Sequence, residues 1–167
     1  RHDALPIVII TGGNAPHLKQ FGATELQSYL RRLFGLDASI ALQPEETPGA
    51  AFLLGTLETN PAMAAALRGE VPSLSEQGFL LRRIQWHGQE ALALLGGSPR
   101  AVLWAVYHLV EQWGVRYLLH GDVMPENPGP FYLSEIDLID RESIRLNSSH
   151  ALISYVYFCL LLYNLAL

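Results

Sequence analysis

The chain of 167 residues predicts an α/β domain, an α+β sandwich in which a mixed β-sheet has two long helices packed on it. Three observations lead to this fold class. Short apolar runs alternate with amphipathic stretches of helical period. Gly-Gly pairs at 12–13 and 96–97 stand between a strand-like run and a helix-like stretch. Half of the residues are hydrophobic, and 14 Gly with 10 Pro exclude a coiled coil or a pure helix bundle.

The first elements follow from local pattern. Residues 7–10 are a β-branched apolar run, which predicts a strand buried on both faces. Residues 16–34 predict a long helix, with Pro16 at its start and Gly35 as its C-terminal cap. Its apolar stripe is formed by Ala23, Leu26, Leu30 and Leu33.

Short apolar runs predict four more strands, at residues 38–42, 51–55, 78–84 and 91–95. The last two are joined by the short Gly-containing segment 86–89, which favours an antiparallel hairpin. Residues 61–67 predict a short helix. We expect no linker that would divide residues 1–139.

The second long helix has the clearest boundaries. Ser98 is the predicted N-cap, Pro99 the first helical residue and Gly114 the C-terminal cap. Its apolar stripe comprises Val102, Ala105, Val106, Leu109, Val110 and Trp113. Residues 115–119 then predict a strand, and 131–139 a final extended segment.

Charge and cysteine content exclude several protein classes. The net charge is −5 and no basic block occurs, which argues against a nucleic-acid partner. The single cysteine, Cys159, excludes an intrachain disulfide framework and a multi-cysteine metal site. Charged residues make up 16% of the chain, against about 25% in an average domain. The uncharged residues 151–167 account for part of this deficit, and a surface that is normally covered by another domain is expected to account for the rest.

The last 28 residues have a different character. Residues 151–167 contain 15 apolar residues and no charge, which is the short limit of a membrane span. Residues 140–150 and 153–160, however, resemble the translation of a sequencing adapter, with 151–152 in place of its index. Glu142, Ile144, Val156 and Tyr157 depart from that translation. We therefore expect a non-native tail with no role in function, a membrane anchor or a core strand being the alternatives.

No catalytic or cofactor motif stands out. The two Gly-Gly turns could hold a phosphate at a helix start, with Arg100 assisting, but the dinucleotide and P-loop patterns are lacking. His120 and Asp122 are two apart, and no third metal ligand is evident. We expect no bound metal or cofactor. The aromatic side chains of Trp86, Trp104 and Tyr107 could stack on a sugar, and packing inside the fold is the alternative.

One block of sequence resembles a known module. The matching segments are residues 7–13, 23–30, 52–55, 78–79, 96–111 and 113–117. Gly-Gly-Ser-Pro-Arg at 96–100 and Gly-Val-Arg-Tyr at 114–117 are the specific part. Together they resemble the N-terminal α/β domain that precedes the catalytic barrel in α-glucuronidases of glycoside hydrolase family 67. The domain before the barrel in bacterial β-hexosaminidases is similar.

The resemblance implies that the acid and base of catalysis lie on a following barrel of about 250 residues, so no catalytic residue is assigned. Residues 1–139 would then be the non-catalytic N-terminal domain of a carbohydrate-active hydrolase, α-glucuronidase-like and acting on xylan-type polysaccharide. Its partner would be that barrel, and it would reach carbohydrate through the parent enzyme. The sequence leaves the localisation open, and export to the periplasm or the medium is compatible with such a parent enzyme. His120-Gly121 stands where the family commonly has Pro-Gly, which leaves the subfamily and the sugar open.

Candidate contacts to substrate or to the barrel are Trp104, Arg116, His120 and Asp122. A domain that normally docks should expose an apolar patch and associate when isolated. The alternative functions are a carbohydrate-binding or interaction module and a small nucleotide-binding α/β protein.

Overall fold

The computed structural model describes residues 6–13, 17–43, 49–118 and 120–140, with the backbone alone for 17–19. The elements in chain order are β1 (Ile7–Ile10), α1 (His17–Phe34), β2 (Ala38–Ala41), β3 (Ala50–Gly55), α2 (Pro61–Ala66), β4 (Phe79–Trp86), β5 (Gln89–Gly96), α3 (Pro99–Gln112), β6 (Arg116–Leu118), β7 (Gly121–Val123) and β8 (Asp137–Asp140).

The main sheet has six strands in the order β2-β1-β3-β5-β4-β8. Strands β2, β1, β3 and β5 are parallel, while β4 runs antiparallel to both β5 and β8. This mixed sheet with helices packed on it confirms the predicted fold class. The described residues form three helices, of which α1 and α3 are the two long ones that the sequence predicts.

Alternate residues of each central strand face opposite layers. Phe52 and Leu54 of β3 point into a core cluster under α1 and α3, whereas Ala51 and Leu53 point into a second cluster under α2. Ile9 and Ile10 of β1 divide between the layers in the same way, and both are fully buried. The apolar strand runs are therefore explained by burial on both faces, as predicted.

The predicted caps are present at the end of α1 and at both ends of α3, while the predicted helix start at Pro16 lies outside the described residues. The Oγ of Ser98 accepts a hydrogen bond from the Ala101 N–H at 3.2 Å, and Pro99 is the first residue of α3. Gly114 follows this helix with φ +100°, a conformation that glycine adopts without strain. Gly35 ends α1 with φ +66° and donates its N–H to the Arg31 carbonyl at 2.9 Å.

The apolar stripes of both long helices are buried as predicted, α1 through Ala23, Leu26, Leu30 and Leu33, and α3 through Val102, Ala105, Val106, Leu109, Val110 and Trp113. Strands β4 and β5 form the predicted hairpin. Its two central residues, His87 (φ 47°) and Gly88 (φ 74°), have the positive φ angles of a type I′ turn.

The chain after α3 differs from its predicted course. Residues 116–118 form a strand as expected, but this strand pairs with β7 in a separate two-stranded sheet. Gly121 and Asp122 belong to β7, a strand that the sequence does not predict between 115–119 and 131–139. A three-residue strand that begins with glycine has too little side-chain pattern to be recognised in sequence.

The segment after β7 returns beneath the helices to reach the sheet edge. Phe131 packs among the rings of Phe34, Phe52 and Trp113, with ring centroids 5.5–6.4 Å away. Strand β8 then pairs with β4, with Asp140 opposite Phe79. The predicted domain boundary after residue 139 falls one residue before the end of β8. Residues 141–167 lie outside the described residues, and so does nearly all of the predicted tail.

Within the described ranges, no helix is long and apolar enough to cross a membrane.

Candidate functional site

The β6–β7 hairpin is held against α1 by one carboxylate. Asp122 Oδ2 accepts a hydrogen bond of 3.0 Å from the Tyr29 hydroxyl and one of 2.8 Å from Arg32 Nη1. Tyr29 and Arg32 are three residues apart on α1 and share one helix face. We call Tyr29, Arg32 and Asp122 the hairpin anchor. It joins residues that are 90 or more positions apart in sequence.

The anchor favours the charged form of Asp122. Partial burial raises the pKa of this carboxyl, but the hydrogen bonds from Arg32 and Tyr29 outweigh that effect, and its pKa lies below the ordinary value. Burial is also the main reason why the pKa of the Tyr29 hydroxyl is raised, so Tyr29 stays a donor at neutral pH. Asp122 is thus a charged, hydrogen-bonded acceptor in the native protein.

Replacing Asp122 by Asn is expected to lower the free energy of unfolding by about 1–2 kcal/mol at pH 7, because the charged acceptor is lost at nearly constant volume. A folded-state pKa below the unfolded value stabilises the fold above the unfolded pKa of about 3.9. This stabilisation is lost as the pH falls through the folded-state pKa. Urea unfolding of the wild type and of Asp122→Asn, measured from pH 7 to pH 3, should therefore show that the difference in their free energies of unfolding becomes smaller as the pH falls. A difference that is constant or grows on acidification contradicts the anchor.

A second buried carboxyl lies in the interface of α1 and α3. Glu25 Oε2 accepts a 2.9 Å hydrogen bond from the Tyr107 hydroxyl. Burial raises the pKa of Glu25, only partly offset by that hydrogen bond. The ring of Tyr117 from β6 stands edge-on to Tyr107 at 5.2 Å and to Tyr29 at 6.4 Å. The hairpin is therefore packed into the groove between both long helices.

The four candidate residues do not form one site. Asp122 points inward to the anchor, while Arg116 is exposed and donates from Nη1 to the Glu111 carbonyl at 2.8 Å, at the end of α3. His120 is exposed in the hairpin turn. Trp104 lies on α3, half-buried against the core cluster beneath the long helices. Three of the candidates share the hairpin, and Trp104 does not.

Sequence reasoning missed the residues of α1 that complete this region. Glu25, Tyr29 and Arg32 follow one another at spacings of four and three, so they form a polar-aromatic strip beside the apolar stripe. That spacing is the signal that could have indicated them. It does not identify Asp122 or Tyr107 as the partners, since those are 82 or more residues away.

The opposite side of the hairpin is exposed and apolar. Leu118 is 54% exposed and Val123 is 49% exposed. Because Arg116 pairs with Val123, and side chains alternate along a strand, both lie on the face of the hairpin opposite to Tyr117 and Asp122. We call Arg116, Leu118 and Val123 the outer hairpin face. An apolar pair beside a cation is typical of a surface that contacts another protein domain.

The backbone packs closely around Gly12 and Gly97 in the two Gly-Gly turns. A Cβ on Gly12 would lie 2.3 Å from the Thr59 carbonyl oxygen, and one on Gly97 would lie 1.8 Å from the Ser75 carbonyl oxygen. At the start of α3, Pro99 has no N–H, and Ser98 already accepts the N–H of Ala101. Few donors remain there for a phosphate, which argues against phosphate binding at this turn, whereas residues 14–16, which follow the Gly12-Gly13 turn, lie outside the described residues.

The three aromatic residues considered for sugar stacking are not one platform. Tyr107 is fully buried. Trp86 packs against the cluster under α2, whereas Trp104 packs against the cluster under α1 and α3, on the other face of the sheet. For Tyr107, the structure supports the alternative to sugar stacking, which is packing inside the fold.

Across the described part of the chain, no three His, Cys, Asp or Glu side chains come together as a group that could hold a metal ion.

Comparison with known families identifies the domain. The family model for the glycosyl hydrolase family 67 N-terminus matches residues 1–109, and the chain belongs to that family. This confirms the resemblance on which the sequence interpretation rests. No curated protein matches the chain.

Solved structures with a similar fold are larger proteins. One is a family GH115 4-O-methyl-α-glucuronidase with specificity for decorated arabinogalactans, at a TM-score of 0.51 and 16% identity over 64% of this chain. Another is a GH138 enzyme targeting pectin rhamnogalacturonan II, at a TM-score of 0.40 and 12% identity over 64% of this chain. The match covers 13% of each of those chains.

Proposed function

We propose that residues 1–139 are the non-catalytic N-terminal domain of a larger glycoside hydrolase, and that this domain packs against a catalytic barrel. The observation that carries the proposal is the family match over residues 1–109. The similar fold in a 4-O-methyl-α-glucuronidase, where it spans 13% of the chain, supports it. The proposed parent enzyme is α-glucuronidase-like and acts on xylan-type polysaccharide.

The carboxylates of the hairpin region support a structural role. Glycoside hydrolysis generally needs two carboxyl groups about 5–10 Å apart on either side of a bound sugar. Glu25 and Asp122 are instead each bonded to a tyrosine hydroxyl within the packing of α1, α3 and the hairpin. Asp122 thereby fixes the position of the hairpin and Glu25 joins α1 to α3, and catalysis is left to the barrel.

Docking is proposed to involve the outer hairpin face. Leu118 and Val123 present apolar area there, and Arg116 provides a cation at its rim. The anchor holds this face rigid, which reduces the entropy lost when a partner binds. His120 is exposed in the turn of the same hairpin and is proposed as a further contact. Trp104, which is half-buried on α3, is proposed as a separate contact outside the hairpin. The tail from residue 140 onward has no proposed role.

Isolated protein is expected to associate through the outer hairpin face. The double variant Leu118→Glu, Val123→Glu should shift the light-scattering mass toward the monomer, because two buried apolar contacts are replaced by like charges. Leu42→Glu is the matched control, since Leu42 is 55% exposed next to the edge strand β2. Equal loss of association in both variants, or a clean wild-type monomer, contradicts this docking face.

The purified chain should not hydrolyse glycosides. Assays with 4-nitrophenyl α-D-glucuronide and with glucuronoxylo-oligosaccharides are expected to give no turnover above that of a heat-denatured sample. Turnover that disappears in Glu25→Gln or Asp122→Asn would show that the domain itself is catalytic, and it would overturn the proposal.

A further inference from the structure

At two places in the described sheet, the connections that follow two neighbouring parallel strands lead to opposite faces of the sheet. Strand β3 leads to α2, while its neighbours β1 and β5 lead to α1 and α3 on the other face. In open α/β sheets the carboxyl ends of such strand pairs enclose a crevice, and ligands bind there. The fold thus creates one crevice between β1 and β3 and another between β3 and β5.

The crevice between β1 and β3 is closed by the protein itself. The side-chain amide of Asn60 donates to the Leu54 carbonyl at 2.9 Å and to the Ile10 carbonyl at 3.2 Å. Gly12 packs so tightly against Thr59 that it leaves no room for a Cβ. These contacts pair the Ile10 and Leu54 carbonyls within the protein, while Asn60 Oδ1 is buried without a hydrogen-bond partner among the described residues.

The crevice between β3 and β5 is open. It holds a cavity of about 430 Å³ between the turn after β3, residues 71–76 and the turn after β5. This volume lies within the range of about 300–1,000 Å³ that is usual for small-molecule sites. Gly96 and Gly97 are among the residues that line it, and a Cβ on either would lie 2.5 Å or less from another backbone atom. Closely packed backbone therefore bounds the cavity along the turn after β5, and side chains that include Leu57, Glu58 and Glu76 bound it elsewhere.

The lining determines which ligand fits. Among the described residues that line the cavity, the ionisable ones are Glu58 and Glu76, and both are acids. The start of α3 offers few free N–H donors, because Pro99 has none and Ser98 caps Ala101. An anion such as phosphate or a uronate is disfavoured here by repulsion. A ligand with several hydroxyl groups can instead donate hydrogen bonds to the two carboxylates.

The remaining lining complements such a ligand. Ser73 adds an exposed hydroxyl, while Leu57, 43% exposed, and Leu74 add apolar surface for ring C–H groups. We propose that the crevice between β3 and β5 binds an uncharged sugar unit, so that this domain contacts neutral saccharide at a place separate from the outer hairpin face. Docking to a barrel does not depend on this site.

Amide NMR on the full chain tests the proposal with xylobiose as the neutral probe and D-glucuronic acid as its anionic counterpart. Xylobiose should shift the amide signals of Gly96, Gly97 and residues 56–59 saturably, and D-glucuronic acid should bind at least about tenfold more weakly. Absence of saturable shifts, tighter binding of the acid, or shifts confined to other residues would overturn the proposal.

Two variants check that the cavity is the site. Ser73→Tyr fills the cavity and should abolish the saturable shifts. Ser39→Tyr is the matched control, because Ser39 is exposed on the edge strand β2 and does not line the cavity. It should bind xylobiose as the wild type does. If Ser73→Tyr binds like the wild type, or Ser39→Tyr loses binding equally, the cavity is not the binding site.

Discussion

Gly12→Ala is expected to destabilise the domain by about 3 kcal/mol or more, because left-handed backbone strain adds to a steric clash. Gly12 has φ +79°, and an added Cβ would lie 2.3 Å from the Thr59 carbonyl oxygen and 2.8 Å from Asn60 Cα. All the crowding atoms named here belong to the backbone, so no side-chain rotation relieves the clash. The loss should appear as a lower urea midpoint at unchanged slope.

The neighbouring glycine is a matched control for this change. A Cβ on Gly13 would meet no atom within 4 Å, and Gly13 does not have a positive φ of the left-handed region. Gly13→Ala should therefore change the free energy of unfolding by less than about 0.5 kcal/mol or raise it slightly. Equal effects at the two positions would mean that the turn after β1 is not packed against residues 59–60.

Phe52→Ala is expected to cost about 3–5 kcal/mol, since a large side chain is removed from a fully buried site. Phe52 lies on the central strand β3, and its ring is 6.3 Å from Trp113 and 6.4 Å from Phe131. The resulting cavity also loosens the segment that carries the chain from β7 to β8. Thermal unfolding should report both effects as one lower transition temperature.

The control for Phe52→Ala is another aromatic residue from the same region. Tyr132 is 61% exposed and stands next to Phe131 in sequence. Tyr132→Ala should cost less than about 0.5 kcal/mol. A loss at Tyr132 comparable with the loss at Phe52 would show that segment 131–136 is packed differently from the described fold.

Most of the fold follows from local signals. The caps at Ser98, Gly35 and Gly114 and the turn at 87–88 each depend on the conformational preference of one or two residues, and sequence shows such preferences directly. Strand β7 was missed because its three residues have too few alternating positions to show a period. Strands β6 and β7 pair with each other and not with the main sheet because of tertiary packing, which places Tyr117 and Asp122 in the groove between the helices.

The candidate site was predictable only in part. The spacing of His120 and Asp122 and the block 114–117 with Arg116 are visible in the sequence, and all three residues lie in the β6–β7 hairpin. The partners of Asp122, Tyr29 and Arg32, are 93 and 90 residues away, and no local pattern links such positions. The cavity beside β5 also depends on which faces α2 and α3 take, which the sequence leaves open.

The low charge content has a physical explanation in this account. Exposed apolar residues occur on the outer hairpin face, where Leu118 and Val123 are about half exposed. A surface that is permanently covered by a second domain needs fewer charged side chains to remain in solution. The docking proposal and the composition therefore agree.

The central claim, that this domain precedes a catalytic barrel, is tested most directly by sequencing the source genomic DNA with long reads that pass codon 140. The genomic codons are expected to differ from those that encode residues 141–167 and to continue in frame into about 250 further residues of alternating strands and helices. That region should carry carboxylates at its strand ends. Genomic codons that encode residues 141–167 unchanged and are followed by a stop codon would contradict the account.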